Sequence, residues 1–450
     1  MTATGYARRL GLFSATMMVI GGIIGSGIFL NPAVVAQRVP TVGLTLGAWA
    51  AGALVALLGA FVFAELGRRR PMAGGGYAYL REAFGPLPGF LYAWALLLAI
   101  ATGAAAAVAM TSAGYLISLL GWEAHLQRPV AAAMILALTL LNIVGVRPAA
   151  WSQNLFTILK LAAIAVLVIS ALVWTGADGA AAGAAAGAAA GAATAVPPAP
   201  DPIWLAFSAA LVPVLFAFGG WQQTNFVAEE MVDPARDLPR ALVIGVVCVA
   251  VCYLLVNAAY IEALGIGGLA ASIAPAADTM EKVAGPSGRT LIAAGIVAST
   301  FGFLNLVILV TPRVYQAMAR DGLFFQSFAR LHPRWQTPVT AIVVQGAWAI
   351  TLLYLGSYGD LLDWVVFADW IFFGSVAATL FVLRRRDGDA DDEGFRTPLH
   401  PWSTLLFIGA AVYVMIGSIT SNPGNALRGA LLLAAGIPVF LYWQSRTSTT

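Results

Sequence analysis

Charge is what this 450-residue chain has least of. Asp, Glu, Lys and Arg make up 10% of it, while 60% is hydrophobic and the mean hydropathy is +0.84. A water-soluble globular protein carries about 25% charged residues. Too few charges remain here to cover a water-facing surface. That excludes a soluble enzyme, a nucleic-acid binder and a disordered chain. Cysteine is nearly absent: the only two, Cys248 and Cys252, sit one helical turn apart in an apolar run. They read as small buried hydrophobes, and no disulfide framework can form. The three histidines, His125, His332 and His400, fall in loops, so no zinc or haem constellation can be assembled. Gly74–Gly76 lacks the Lys-Ser/Thr of a phosphate loop, and no Walker motif occurs. No cofactor is implied.

What is abundant is apolar length. A spanning helix needs about 20 apolar residues. Suitable runs fall near 12–36, 43–66, 86–119, 129–145, 152–174, 204–229, 240–263, 288–318, 339–356, 361–383, 402–420 and 427–444, which makes twelve. The first follows Arg8 and Arg9 but is too long for a cleaved leader, so it reads as a retained helix. With the N-terminus in the cytoplasm, eighteen of the 24 Lys and Arg fall on the inner side. That is the positive-inside bias, and it places both termini in the cytoplasm. The Ala/Gly-rich stretch 176–200 lacks Leu, Ile and Phe, closes on prolines, and reads as an outer loop.

Two spans are interrupted, and they hold corresponding positions. The first contains Gly21-Gly22-Ile23-Ile24-Gly25-Ser26-Gly27, and the sixth Phe216-Ala217-Phe218-Gly219-Gly220. Clustered glycine lets a backbone leave the helix, and unwound backbone inside a membrane must line a cavity or be buried. Each break opens a block of five spans, and an odd number inverts the second block relative to the first. The expected organisation is a first repeat at 1–174, an outer loop at 175–203, a second repeat at 204–383, and two further helices at 384–450. Paired broken helices point to a central carrier site. Their N–H groups suit a carboxylate and their C=O groups an ammonium. The natural ligand is a zwitterion, an α-amino acid. No acid lies in either break, so a cationic side chain finds no obvious partner there.

IIGSGIF at 23–29, PMAGGGYAYLREAFG at 71–85, FAFGGWQQTNFVAEEMVDPARDLPRA at 216–241 and PRVYQAMARDG at 312–322 together resemble the amino acid–polyamine–organocation superfamily, closest to its L-amino-acid transporter branch. The resemblance implies an all-α integral membrane fold of about twelve helices, with two inverted five-helix repeats broken at helices 1 and 6 and two helices following. It implies that Ser26 and the backbone of Gly27 hold a substrate carboxylate, with Gly25 allowing the turn. The substrate amino group would meet carbonyls of Ile23, Phe216, Ala217 and Gly219, with Phe216 as an aromatic gate. Phe218 and Gln222 stand where relatives often carry Tyr and Asn. Eukaryotic members pair with a heavy chain through an outer-loop cysteine; this sequence has none, so no disulfide-linked heavy chain is expected.

Lys160 is the lone cation inside a span, about 12 Å deep at 1.5 Å per residue. Its burial is expensive and marks a functional candidate, with snorkelling to the interface as the alternative. The resemblance implies that Lys160 replaces a bound sodium, linking the Gly21 carbonyl to the Ser299 hydroxyl, with Thr300 as the alternative; a buried lysine there can act as a fixed cation or as a proton carrier. Asp369 in the tenth span reads as a gate or proton group, or as a satisfied polar contact toward the outer vestibule. Glu229 and Glu230 read as exposed or ion-paired loop acids, the arginine triplets 68–70 and 384–386 as topology anchors, and the acidic run 387–393 as a solvated loop. The expectation is an inner-membrane, sodium-independent carrier of neutral L-amino acids, working by exchange or proton-coupled uptake. Cationic amino acids or polyamines are the alternative substrates, and polyamines would need acids facing the cavity. A membrane enzyme or sensor is the alternative of another class.

Overall fold

The computed structural model describes residues 6–174, 202–355, 358–388, 394–421 and 423–447. Among these the secondary structure is helical, apart from one isolated bridge between Leu10 and Met231. The helices are α1 (Leu12–Ile23), α2 (Gly27–Arg38), α3 (Val42–Arg69), α4 (Gly76–Phe84), α5 (Pro86–Ala95), α6 (Ala101–Leu120), α7 (Gln127–Ile143), α8 (Val146–Val173) and α9 (Ile203–Ala217). They continue as α10 (Pro234–Ala271), α11 (Pro275–Val310), α12 (Pro312–Arg320), α13 (Gln326–Ala329), α14 (Val339–Leu355), α15 (Tyr358–Asp387), α16 (Trp402–Ser421) and α17 (Pro423–Thr447).

Nine helical stretches among the described residues are long and apolar enough to cross a bilayer. The pair α1–α2, bent by 41°, makes a tenth. With the 17-residue α14 and the 30-residue α15, each of the twelve apolar runs has its helix or helix pair. The molecule is a multi-pass membrane protein. Its outward face carries large apolar side chains, such as Trp151, Ile169, Leu172 and Leu431. Water would not tolerate so many together, but acyl chains do. The interior instead holds alanine-rich helix surfaces, as on α6, together with buried Asn142, Gln153, Thr157 and Asn305.

Several boundaries depart from the apolar runs for local reasons. The run 86–119 is not one regular helix: a π turn at Leu96–Ile100 joins α5 to α6, and the Thr102 hydroxyl bonds the Leu97 carbonyl at 2.8 Å, five residues back. The motif at 71–85 is half helix, because Gly85 closes an amphipathic turn whose Tyr77, Tyr79 and Leu80 are buried. Beyond the second break the chain winds as a 3₁₀ helix, Trp221–Glu230, rather than an α half-helix. The outer loop at 176–200 and the acids of 389–393 lie outside the described residues.

Ion pairs latch the arginine-rich ends of the helices. Glu65 of α3 is wholly buried and meets Arg69 at 2.9 Å and Arg384 of α15 at 2.6 Å. Asp387 takes Arg69 at 2.8 Å and Arg70 at 2.7 Å, so it is no solvated loop acid. The arginine triplets therefore tie α3 to α15 as well as marking a side. Arg81 pairs with Asp321, whose carboxylate also accepts from the Tyr77 hydroxyl at 2.6 Å. Burial, with the Asp321 carboxylate beside it, pushes the Tyr77 phenol above its ordinary range, so Tyr77 stays a neutral donor. Glu230 is the ion-paired acid rather than an exposed one: it is fully buried against Arg313 of α12, at 2.7 Å. Removing one partner of such a pair leaves a buried charge and costs about 3–5 kcal/mol. Glu230→Gln is expected to lose stability on that scale, read as a fall in the unfolding midpoint in detergent.

Candidate functional site between the broken helices

α1 ends because Gly25 and Ser26 leave the helical path. The Ile24 N–H still reaches the Ile20 carbonyl at 2.9 Å, but the Gly25 N–H turns back to Ile23, also at 2.9 Å. α2 starts at Gly27, where its first N–H groups have no acceptor within the helix. In the second break α9 closes on Ala217, the Gly219 N–H bonds the Phe216 carbonyl at 3.1 Å, and Gly220 takes φ +105°. The two breaks touch. A Cβ on Gly220 would lie 2.1 Å from the Gly22 carbonyl oxygen, so only glycine admits this crossing.

A cavity of about 60 Å³ opens between the breaks. Ile23, Gly25, Ser26, Gly27, Phe216, Ala217 and Gly219 all line it. The Ser26 hydroxyl makes no hydrogen bond among the described residues, which leaves it for a ligand. Gln222 lines the cavity too, with its side-chain carbonyl holding the Gly220 N–H at 3.0 Å. Phe218 does not line it; it packs behind, against Trp49 and Tyr253. Asp369 also lines the cavity, beside Tyr92 and Trp370. Among the described residues no hydrogen bond or ion pair reaches its carboxylate.

Lys160 lies outside the cavity, directly behind the first break. Its side chain is fully buried, and its Nζ donates to the Gly21 carbonyl at 3.0 Å and the Ile24 carbonyl at 2.6 Å. These carbonyls end α1, where the helix dipole is negative, so a cation is favoured there without any acid. The Ser299 hydroxyl of α11 reaches the same Ile24 carbonyl at 3.4 Å. The Thr300 hydroxyl folds back onto its own helix, bonding Ile296 at 2.7 Å, and takes no part. Full burial among backbone acceptors leaves no room for snorkelling.

Two features escape sequence reasoning. Gln153, Thr157 and Lys160 form one polar stripe of α8 facing α1, at spacings of four and three residues; Thr157 bonds the Met17 carbonyl at 3.1 Å. That spacing is readable in the sequence. Tyr253 of α10 is the second. Its hydroxyl stands 3.0 Å from the Ile23 carbonyl and 3.1 Å from the Ala217 carbonyl, joining the two breaks. One hydroxyl hydrogen serves one carbonyl at a time, so each keeps acceptor capacity for a ligand. A buried acceptor left without a donor costs about 1–3 kcal/mol. Tyr253→Phe is expected to raise the half-saturating substrate concentration about tenfold, read from the concentration dependence of uptake.

A many-helix membrane protein with a small cavity between two crossing broken helices is built as a solute carrier. The chain belongs to the amino acid permease family, whose sequence pattern matches residues 10–440. It is similar to the serine/threonine exchanger SteT of Bacillus subtilis (strain 168), with 30% identity over 99% of both chains. It is similar to the b(0,+)-type amino acid transporter 1 of Mus musculus, with 31% identity over 99% of this chain and 90% of the other. The human large neutral amino acids transporter small subunit 2 shares 32% identity over 98% of this chain and 81% of its own. The protein is an amino acid transporter, not an enzyme.

Proposed function

We propose that the chain is a sodium-independent carrier of neutral L-amino acids, working by alternating access in the cell membrane with both termini cytoplasmic. The observation that carries this reading is the cavity between the breaks. One wall offers the N-terminus of α2 and the Ser26 hydroxyl to a carboxylate. Another offers the Ile23 and Ala217 carbonyls to an ammonium. A zwitterion satisfies both.

The helix packing supports two inverted repeats, 1–174 and 204–383, with α16 and α17 added. α11 packs on α8 as α6 packs on α15, and α3 lies against α10. Exchanging the two blocks preserves these partnerships. Lys160 supports sodium independence, because its ammonium holds the carbonyls a bound cation would need. The buried Glu230–Arg313 and Glu65–Arg384 pairs latch the ends that the arginine count assigns to the cytoplasm. Opening on that side requires breaking or moving them.

Asp369 favours a second reading, in which basic amino acids are carried, since it sets an acid on the cavity wall. Ligand-dependent thermal stabilisation of the purified protein tests the recognition step. Neutral L-amino acids should raise the unfolding midpoint, while their methyl esters and N-acetyl derivatives should not. Stabilisation by lysine or arginine alone would replace the neutral reading with the basic one.

A further inference from the structure

Asp369 differs from the buried acids. Glu65 has Arg69 and Arg384, and Glu230 has Arg313, whereas the Asp369 carboxylate has neither cation nor hydrogen-bond donor among the described residues. It is partly exposed, and the space it meets is the cavity, where Phe226, Phe303, Trp370 and Phe373 supply the surroundings. Among the described residues no lysine or arginine lines that space. A neutral amino acid brings a positive and a negative group, each matched by the breaks, and therefore no net charge. An ionised Asp369 would leave the loaded cavity with one uncompensated negative charge inside the membrane, an arrangement that proteins avoid.

We propose that Asp369 is the coupling site for a proton: one neutral amino acid and one proton occupy the cavity together and cross together. An O–H bond forms on the carboxylate with a proton delivered by water on the open side. The same bond breaks to water on the other side as the substrate leaves. This inference rests on the neutral-substrate reading above.

The groups around Asp369 leave it as the titrating element. Tyr92 is the ionisable side chain that shares its part of the cavity. α6, α16 and the π turn, all packed on α15, carry no charged residue. On α3 and α4, Glu65, Arg68, Arg69, Arg81 and Glu82 lie toward the arginine-rich end. Arg384, which Glu65 pairs with, is fifteen residues from Asp369 along α15, roughly 22 Å of helix. Arg428 and Arg446 lie near the two ends of α17, and Asp360 and Asp363 precede Asp369 on its own helix.

The test is proton uptake on binding, measured by calorimetry of leucine or serine with the purified full-length protein in buffers of different ionisation enthalpy. Wild type should take up close to one proton per amino acid near neutral pH. Asp369→Glu should keep that uptake, and Asp369→Asn should lose it. In liposomes loaded with a pH-sensitive dye, wild-type uptake should acidify the interior, and an inward proton gradient should raise accumulation at least tenfold. Binding without proton uptake in wild type would overturn the coupling and leave the neutral-substrate reading standing. So would proton uptake that persists in Asp369→Asn. Absence of neutral amino acid binding in wild type, with lysine bound in its place and its binding lost in Asp369→Asn, would overturn both. Should the Asn variant fail to fold, the wild-type stoichiometry and its retention in the Glu variant decide.

Discussion

Lys160→Ala is expected to reduce transport at least 100-fold while the protein still inserts in the membrane. The ammonium makes two hydrogen bonds to α1, to Gly21 and Ile24. Hydrogen bonds from charged donors are worth about 1.5–3 kcal/mol each, and about 1.4 kcal/mol is a factor of ten. Alanine removes both and leaves buried carbonyls facing a void. Ser299, at 3.4 Å from Ile24, holds one of them weakly and Gly21 not at all. The first break then loses the contact that fixes its path, and the cavity wall moves with it. Uptake at matched protein content measures the loss. A detergent unfolding curve separates it from collapse of the fold. Lys160→Arg should not rescue, because a planar guanidinium cannot converge on both carbonyls as a compact ammonium does.

Gly220→Ala is expected to be as damaging, by another route. The residue sits at φ +105°, and its added Cβ would lie 2.1 Å from the Gly22 oxygen. The backbone conformation alone costs about 1–3 kcal/mol in a non-glycine residue. The overlap also cannot be relieved by a side-chain rotation, because the obstacle is backbone of the other broken helix. α1 and the Trp221–Glu230 segment must separate, which destroys the crossing that forms the cavity. Transport should fall more than 100-fold. Gly409→Ala on α16, where an added Cβ meets nothing within 4 Å, should transport normally.

The membrane spans and both breaks were legible because they rest on residue types that apolar runs exclude or interrupt. Glycine clusters and a lone lysine stand out against leucine and valine, which is why Gly25, Gly220 and Lys160 could be named from the chain alone. The facing of Asp369 could not. A helix that is hydrophobic nearly all round carries no moment to say which side turns inward, so an acid on it can be lipid-edge, vestibule or cavity. Tyr253 was hidden for the same reason, as one tyrosine among several in apolar helices. The latches escaped because they join distant segments: Glu65 meets Arg384, and Glu230 meets Arg313, only after the bundle is assembled. Charge counting can place such residues on a side of the membrane but cannot pair them.

The most direct test of the account is uptake of labelled neutral L-amino acids into liposomes holding the purified protein. Vesicles preloaded with unlabelled amino acid are compared with empty ones, with and without sodium and with and without an inward proton gradient. Uptake should be indifferent to sodium, competed by neutral L-amino acids, and lost in Lys160→Ala. Uptake that requires sodium, or that lysine and polyamines compete while leucine and serine do not, would contradict it.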